Sequence, residues 1–290
     1  MSSPKRSVLI TGCSDGGMGS ALAIAFHNAG LKVYATARNP AKTAKLTSLG
    51  IETLALDVQS ESSIAECAKK VPSLDILVNN AGQQHPSPIS DMNIPEAKDL
   101  FDINVWAPVA VIQGFLPLLL KSSSPVIANN TSVTAVVTLP FQAAYNASKA
   151  ALTMITDCLR LELQPWGVKV VDLKTGAVGT KIMSNARSHK LELPEGSIYE
   201  PAKETVEKAL RGGILRRHGD SRRAVGARGR AGAIEEKPAA CRLEGRVGAL
   251  GPACGSAAVR IARRDAQEDV WVGRCGAGDT KMRRLPKLLI

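Results

Sequence analysis

The sequence predicts an α/β fold, a doubly wound parallel sheet of the Rossmann kind, on three observations. Short apolar runs alternate with longer amphipathic ones through residues 1–183. The apolar runs are nearly unbroken, as strands covered by helices on both faces require. The first of them opens into a glycine-rich turn that feeds a helix, Thr11-Gly12-Cys13-Ser14-Asp15-Gly16-Gly17-Met18-Gly19.

Taken in order, Ser7–Thr11 is the first strand and Ser20–Asn28 the first helix, stopped by Gly30. Lys32–Thr36 is the second strand, Ala41–Leu49 a helix ended by Gly50, and Glu52–Leu56 the third strand. Ser60–Lys70 reads as a helix and Leu74–Val78 as the fourth strand. Pro95 opens a long helical stretch toward Lys121, which Pro108 and Pro117 are expected to bend. Pro125–Asn130 is the fifth strand, Ala143–Gln164 a long helix and Val168–Leu173 the sixth strand. Residues 184–210 turn polar and end in a helix candidate, Lys203–Leu210, which reads as a substrate loop and helix closing the core. Past residue 210 the alternation stops, so no regular seventh strand is expected.

The charge divides at the same place. The chain has 290 residues and a formal net charge of +11. Residues 1–210 hold 19 Lys and Arg against 18 Asp and Glu, whereas residues 211–290 hold 18 against 8. The basic surplus is therefore a property of the tail, which also carries 15 of the 19 Arg. Arg, Gly and Ala in excess are what GC-rich codons yield in a shifted frame, so residues 211–290 are expected to be aberrant or disordered. A nucleic-acid-binding tail is not expected, because aromatics do not interleave and the Arg-Gly units do not repeat. No apolar stretch reaches the ~20 residues of a membrane span, and the expected compartment is cytoplasmic. The six cysteines, Cys13, Cys67, Cys158, Cys241, Cys254 and Cys275, include no metal-ligand spacing, and no metal site is expected.

Four features carry chemistry. A glycine loop at a helix N-terminus lets backbone N–H groups approach a pyrophosphate. At the end of the second strand an NAD enzyme usually places an acid for the ribose 2′-OH; here the chain reads Ala37-Arg38-Asn39, with no acid until Glu52. Arg38 suits a 2′-phosphate instead, unless it is a solvated surface side chain. Tyr145 and Lys149, four residues apart at the start of the long helix, share one face. Ser132 lies just past the fifth strand, whose C-terminal end faces the ligand crevice of a doubly wound sheet.

Thr11-Gly12, Gly17-x-Gly19, Asp57, Asn79-Asn80-Ala81-Gly82, Asn104, Ser132 and Tyr145-x3-Lys149, in this order, resemble the short-chain dehydrogenase/reductase superfamily. The spelling TGCSDGGMG and the stretch DLKTGAV are closest to a fungal branch that includes NADPH-dependent 1-acyldihydroxyacetone-phosphate reductases and reductases of secondary metabolism. The resemblance covers residues 7–210. It implies that Tyr145 is the general acid, Lys149 its charge partner and a ribose ligand, Ser132 the holder of the carbonyl oxygen, and Asn104 the support of a water relay. It also implies cofactor contacts from Thr11, Gly12, Gly17, Gly19, Arg38, Asp57, Asn79, Ala81, Gly82, Val178 and Thr180. Asn104 also reads as a helix-bend amide and Asp57 as a turn cap. The glycine loop is one residue longer than the commonest spacing, which leaves open whether Gly16 or Gly17 meets phosphate. Thr175-Gly176 stands where the family usually has Pro-Gly.

The expected activity is NADPH-dependent reduction of a hydrophobic ketone, acyl or polyketide-like, because Val136–Phe141 in a pocket loop is apolar. The alternative is a frameshifted, weakly active or inactive nucleotide-binding member. The expected partner is a small molecule, and the expected homo-oligomerisation through the long helices is put in doubt by the tail.

Overall fold

In the computed structural model, residues 5–176, 191–211, 261–264 and 267–272 are described. Six parallel strands form the body of the sheet: β1 (Ser7–Ile10), β2 (Lys32–Ala37), β3 (Glu52–Ala55), β4 (Ile76–Asn79), β5 (Val126–Asn130) and β6 (Lys169–Thr175). Their order is β3-β2-β1-β4-β5-β6. The winding reverses between β1 and β4, and ligand crevices of doubly wound sheets open at that point, beyond the strands' C-terminal ends.

The unbroken apolar strands are explained by burial on both sides. Val8 and Ile10 point into one core with Leu22 and Phe26, while Leu9 points into the other with Leu77, Ile127 and Phe115. The first core is covered by α1 (Met18–Asn28) and α2 (Ala44–Ser48), and the second by α3 (Glu61–Lys69), α5 (Ala107–Leu119) and α6 (Ala143–Leu163), while α4 (Ile94–Phe101) packs on the start of α6 through Leu100, Ala144 and Tyr145. Local chemistry starts two of these helices. The Ser60 hydroxyl accepts the Ser63 N–H at 3.2 Å, and Asn93 Oδ1 accepts the Glu96 N–H at 3.1 Å.

Two expectations need correction. The long stretch from Pro95 does not bend at its prolines. It breaks at a π turn, Asp102–Trp106, which ends before Pro108. Pro108 sits in the first turn of α5, where a missing N–H is tolerated. Pro117 lies inside α5 on the exposed side with Gln113, whose freed carbonyl therefore meets water. The run Ile94–Leu119 is long and apolar enough to cross a membrane, yet half of its most apolar window is buried within the protein.

The second correction concerns the expected absence of a seventh strand. Residues 211–290 contribute β7 (Ile261–Arg264) and β8 (Gln267–Val272); β8 pairs parallel with β6 and β7 antiparallel with β8. A free β6 edge offers a row of unpaired N–H and C=O groups, and the short run Val270-Trp271-Val272 has the residue types that pair there. Arg263, Arg264, Glu268 and Asp269 interrupt these strands, so they lack the unbroken apolar run that marks the buried ones. Residues 191–211 end in α7 (Lys203–Leu210), as expected, and form a small core of their own from Leu191, Leu193, Val206 and Leu210.

Candidate active site

The glycine loop is shaped by two left-handed residues, Gly12 at φ +72° and Gly16 at φ +77°. A Cβ on Gly12 would lie 2.9 Å from the Ala81 Cα, and one on Gly19 would lie 2.6 Å from the Gly12 carbonyl oxygen and from Asn80 Nδ2. These residues are glycine because the turn after β4 passes directly against them. The extra residue is absorbed in a turn closed by the Gly17 N–H on the Ser14 carbonyl at 3.0 Å. Gly17, not Gly16, then stands at the N-cap of α1 with no side chain over the helix end. Within the helix the bonding begins at Ala21, whose N–H donates to the Gly17 carbonyl.

A polar belt fixes this loop to the sheet. The Thr11 hydroxyl accepts the N–H groups of Asn80 and Ala81, both at 2.9 Å, and Asn80 Nδ2 donates to the Thr11 carbonyl at 2.8 Å. Asn130 Nδ2 donates to Asn80 Oδ1 at 3.2 Å, and the Thr175 hydroxyl donates to Asn130 Oδ1. The belt crosses the C-terminal ends of β1, β4, β5 and β6. Asn80, which sequence reasoning left without a role, is its hinge. Asn79, expected among the cofactor contacts, has its side chain in the buried interior, where it braces the strand ends: Nδ2 donates to Asn129 Oδ1 at 2.9 Å and to the Pro108 carbonyl at 3.4 Å. The reason is strand alternation: of two consecutive residues at a strand end, one faces the loop and the other the helices.

Arg38 follows β2 directly and is exposed. The fold adds an acid that the linear sequence hides, because Asp15 crosses to the segment after β2. Its Oδ2 accepts the Lys45 N–H at 3.1 Å, and its own N–H donates to the Lys42 carbonyl. That carboxylate oxygen is thus engaged by the first turn of α2. Asp57 Oδ1 accepts the Gln59 N–H at 3.1 Å, the turn-capping arrangement, and the residue is half-buried.

Tyr145 and Lys149 project from the first turns of α6 and are almost fully buried, at 7% and 4% exposure. Lys149 Nζ lies 5.9 Å from the Tyr145 ring centroid and donates to the Asn130 carbonyl at 2.8 Å. Burial pulls the Lys149 ammonium down to about 8, against an upward push from the Asp172 carboxylate. Burial raises the Tyr145 phenol, while hydrogen bonds from Ser132 and Gln84 act in the opposite sense. Ser132 is oriented by Thr134, whose N–H and hydroxyl donate to its Oγ at 3.1 and 2.9 Å. With its lone pairs engaged, the Ser132 hydroxyl proton is directed away from Thr134. Gln84 and Thr134 carry no local sequence signal for these roles, since their contacts exist only across loops.

Asn104 is fully buried in the π turn. Its Oδ1 accepts the Gln83 N–H at 2.9 Å, and its Nδ2 donates to the Gln83 carbonyl at 3.0 Å and to the Ser148 hydroxyl at 3.1 Å. Its side chain therefore clamps the Gly82–Gln83 turn against α6, and its backbone partners belong to that loop, where the helix-bend reading expected freed helix groups. A Cβ on Gly82 would lie 3.6 Å from Lys149 Nζ, so the bare glycine keeps the space beside the ammonium open. Val178 and Thr180 lie outside the described residues.

Three loops meet over this cleft. The Ser197 hydroxyl donates to Asp91 Oδ2 at 2.6 Å, the Ser87 N–H donates to the Phe141 carbonyl at 2.8 Å, and Phe141 meets the Tyr199 ring edge-on at 5.6 Å. Phe141 holds φ +60°, a left-handed conformation that costs a bulky residue energy and is kept by these contacts. An open apolar groove of about 670 Å³ lies elsewhere, among α4, the π turn and α6, with Ile89, Phe101 and Trp106 in its wall. No cluster of metal-ligating side chains occurs among the described residues.

A buried phenol one helical turn from a buried ammonium, at the reversal point of a Rossmann sheet, defines a class of proteins. Residues 6–191 match the short chain dehydrogenase family, and the chain belongs to it. Members of that family are oxidoreductases that bind a nicotinamide cofactor and act on small molecules. Among its relatives, a short-chain dehydrogenase/reductase of Pestalotiopsis microspora is 55% identical over 212 residues, 73% of each chain. An NADPH-dependent 1-acyldihydroxyacetone phosphate reductase of Schizosaccharomyces pombe is 40% identical over 209 residues, 70% of each chain. A short chain dehydrogenase from Burkholderia cenocepacia in complex with NADP is similar in structure, with TM-score 0.58, 28% identity, and coverage of 72% of this chain and 86% of that one.

Proposed function

We propose that this chain is an NADPH-dependent reductase that converts a hydrophobic ketone, acyl or polyketide-like, to an alcohol. The observation that carries the reading is the convergence of Tyr145, Lys149 and Ser132 on the cleft edge that also holds the glycine loop. When bound in this cleft, NADPH would supply the hydride for the substrate carbonyl carbon. Tyr145 gives its phenolic proton to the carbonyl oxygen, and the Ser132 hydroxyl holds that oxygen in place. A free tyrosine titrates near ~10 and burial raises it further, so the phenolate left behind needs a positive neighbour. Lys149 provides that charge. Asn104 keeps the Gly82–Gln83 turn beside it, where a water relay returns the proton.

For the cofactor, Thr11, Gly12, Gly17 and Gly19 shape the pyrophosphate seat at the α1 N-terminus. Ala81 and Gly82 allow close backbone approach, Asp57 serves the adenine, and Arg38 receives the 2′-phosphate. Val178 and Thr180 remain the expected contacts of the carboxamide end. The NADPH preference is supported by Arg38 directly after β2, where the nearby Asp15 carboxylate has one oxygen engaged by the Lys45 N–H, and by the cofactors named for the Schizosaccharomyces and Burkholderia proteins. The ketone class is supported by the apolar Val136–Phe141 loop and by the reaction named for the Schizosaccharomyces protein.

Titration of the purified chain with NADPH and NADH, followed by turnover of a generic hydrophobic ketone, tests this function. Tighter binding of NADPH and NADPH-dependent turnover are expected. Saturation by neither nucleotide would overturn the reading.

A further inference from the structure

Strand β6 reads Lys169-Val-Val-Asp172-Leu173-Lys174-Thr175, with two charges inside an otherwise apolar core strand. Alternation sends Leu173 into the α1-side core and places Asp172 and Lys174 together on the other face. Both side chains are buried, Asp172 at 0% and Lys174 at 5% exposure, with Lys174 Nζ 2.6 Å from Asp172 Oδ2. The Thr131 hydroxyl donates to Asp172 Oδ1. A buried carboxylate and ammonium are costly to keep in a sheet, and hydrophobic residues of similar volume often serve stability as well. The pair lies beside the catalytic edge. Thr131 follows Asn130, whose carbonyl holds Lys149 Nζ, and Asn130 is in register with Leu173, between the two charges.

We propose that Asp172 is a positioning residue for Lys149: its carboxylate, oriented by Thr131 and shared with Lys174, keeps the Lys149 ammonium charged where the Tyr145 phenol uses it. This deepens the reductase reading and rests on it. The groups around Lys149 make the assignment specific. Its own helix presents the Tyr145 ring, β5 presents the Asn130 carbonyl, and the Gly82 and Asn104 side is uncharged. From β6 come Asp172 and, behind it, Lys174. Beyond β6, β8 sets Asp269 in register with Asp172. Burial favours the neutral amine of Lys149, and Asp172 opposes it. Lys174 has the contrary effect, because it draws on the same carboxylate.

Removing either partner must therefore move Lys149 in opposite directions. The test uses the full chain labelled with carbon-13 at the lysine Cε, with the Lys149 signal identified by its loss in Lys149→Met. Asp172→Asn keeps an acceptor for Thr131 and removes the charge. It is expected to lower the Lys149 titration midpoint by roughly one pH unit, and the alkaline limb of ketone reduction by the same amount. Lys174→Met is expected to raise both. In the double variant the midpoint falls between those of the singles, and this variant with Lys174→Met carries the test if Asp172→Asn does not fold. Midpoints that stay put, or that move in the same direction in both singles, would overturn the proposal and leave the pair a packing feature. Opposite shifts in a chain that reduces no ketone would sink the reductase reading alone. Reduction with an unmoved alkaline limb would sink the role of Asp172 alone.

Discussion

Along the C-terminal edge of the sheet, each neighbouring pair among β1, β4, β5 and β6 is joined by side-chain hydrogen bonds through Thr11, Asn80, Asn130 and Thr175. Across the mouth of the cleft, the three loops meet, among the described residues, through one side-chain hydrogen bond, one backbone bond and one aromatic edge. The floor is over-determined, whereas the roof is fastened at single points. A floor of this kind holds cofactor-facing and proton-handling groups whatever the loops do. A roof of this kind lets the substrate-facing surface change at little cost to the sheet. Changes to the floor should therefore act on chemistry or on nucleotide binding, and changes to the roof on substrate handling alone.

The sharpest way to break this division is at the phenol. Tyr145→Phe is expected to lower kcat by about a thousandfold, the usual scale of a lost general acid, with NADPH binding retained in a fluorescence titration. Gly19→Val follows, since its Cβ alone would stand 2.6 Å from the Gly12 carbonyl oxygen and Asn80 Nδ2. An overpacked seat of this kind is expected to cost ~1–3 kcal/mol, read as a lowered melting temperature and weakened NADPH binding. Arg38→Asp is expected to weaken NADPH by about ten- to a hundredfold while NADH gains, as one charge-assisted contact becomes a repulsion. Raising the pH through about 8, where Lys149 loses its proton, is expected to reduce the rate of ketone reduction, because the phenolate then lacks its charge partner. The smallest effect belongs to the roof. Ser197→Ala removes the bond to Asp91, worth about 0.5–1.5 kcal/mol, and should raise KM several-fold without changing NADPH affinity. An equal loss of NADPH binding in that variant would erase the distinction between floor and roof.

The strands were legible because both of their faces are buried: a run such as Val8-Leu9-Ile10 is apolar at every position and needs no phase. Ser132, Tyr145 and Lys149 were legible because spacing on one helix and position at one strand end already bring them together. The π turn at Asp102–Trp106 was not, since the prolines that signal a bend are accommodated elsewhere, in the first turn and on the exposed face of α5. Asn80, Gln84, Thr134 and Asp15 were missed for a common reason. Each acts on a residue of another segment, and nothing in its own neighbourhood announces that partner. The strands from residues 261–272 were missed because their pairing is decided by the open edge of β6 more than by their own pattern.

Hydrophobic periodicity by itself determined the Rossmann sheet and the order of its first six strands, because these depend on local geometry that repeats along the chain, and the motifs' resemblance to a known family pointed to the short-chain dehydrogenases. The tertiary structure alone decided which of two adjacent asparagines faces the loop, which acid meets the segment after β2, and that a buried carboxylate on β6 pairs with Lys174 and Thr131. Those outcomes depend on strand register and burial, which set distances between residues far apart in the chain, and electrostatic interactions in a water-poor interior are governed by those distances.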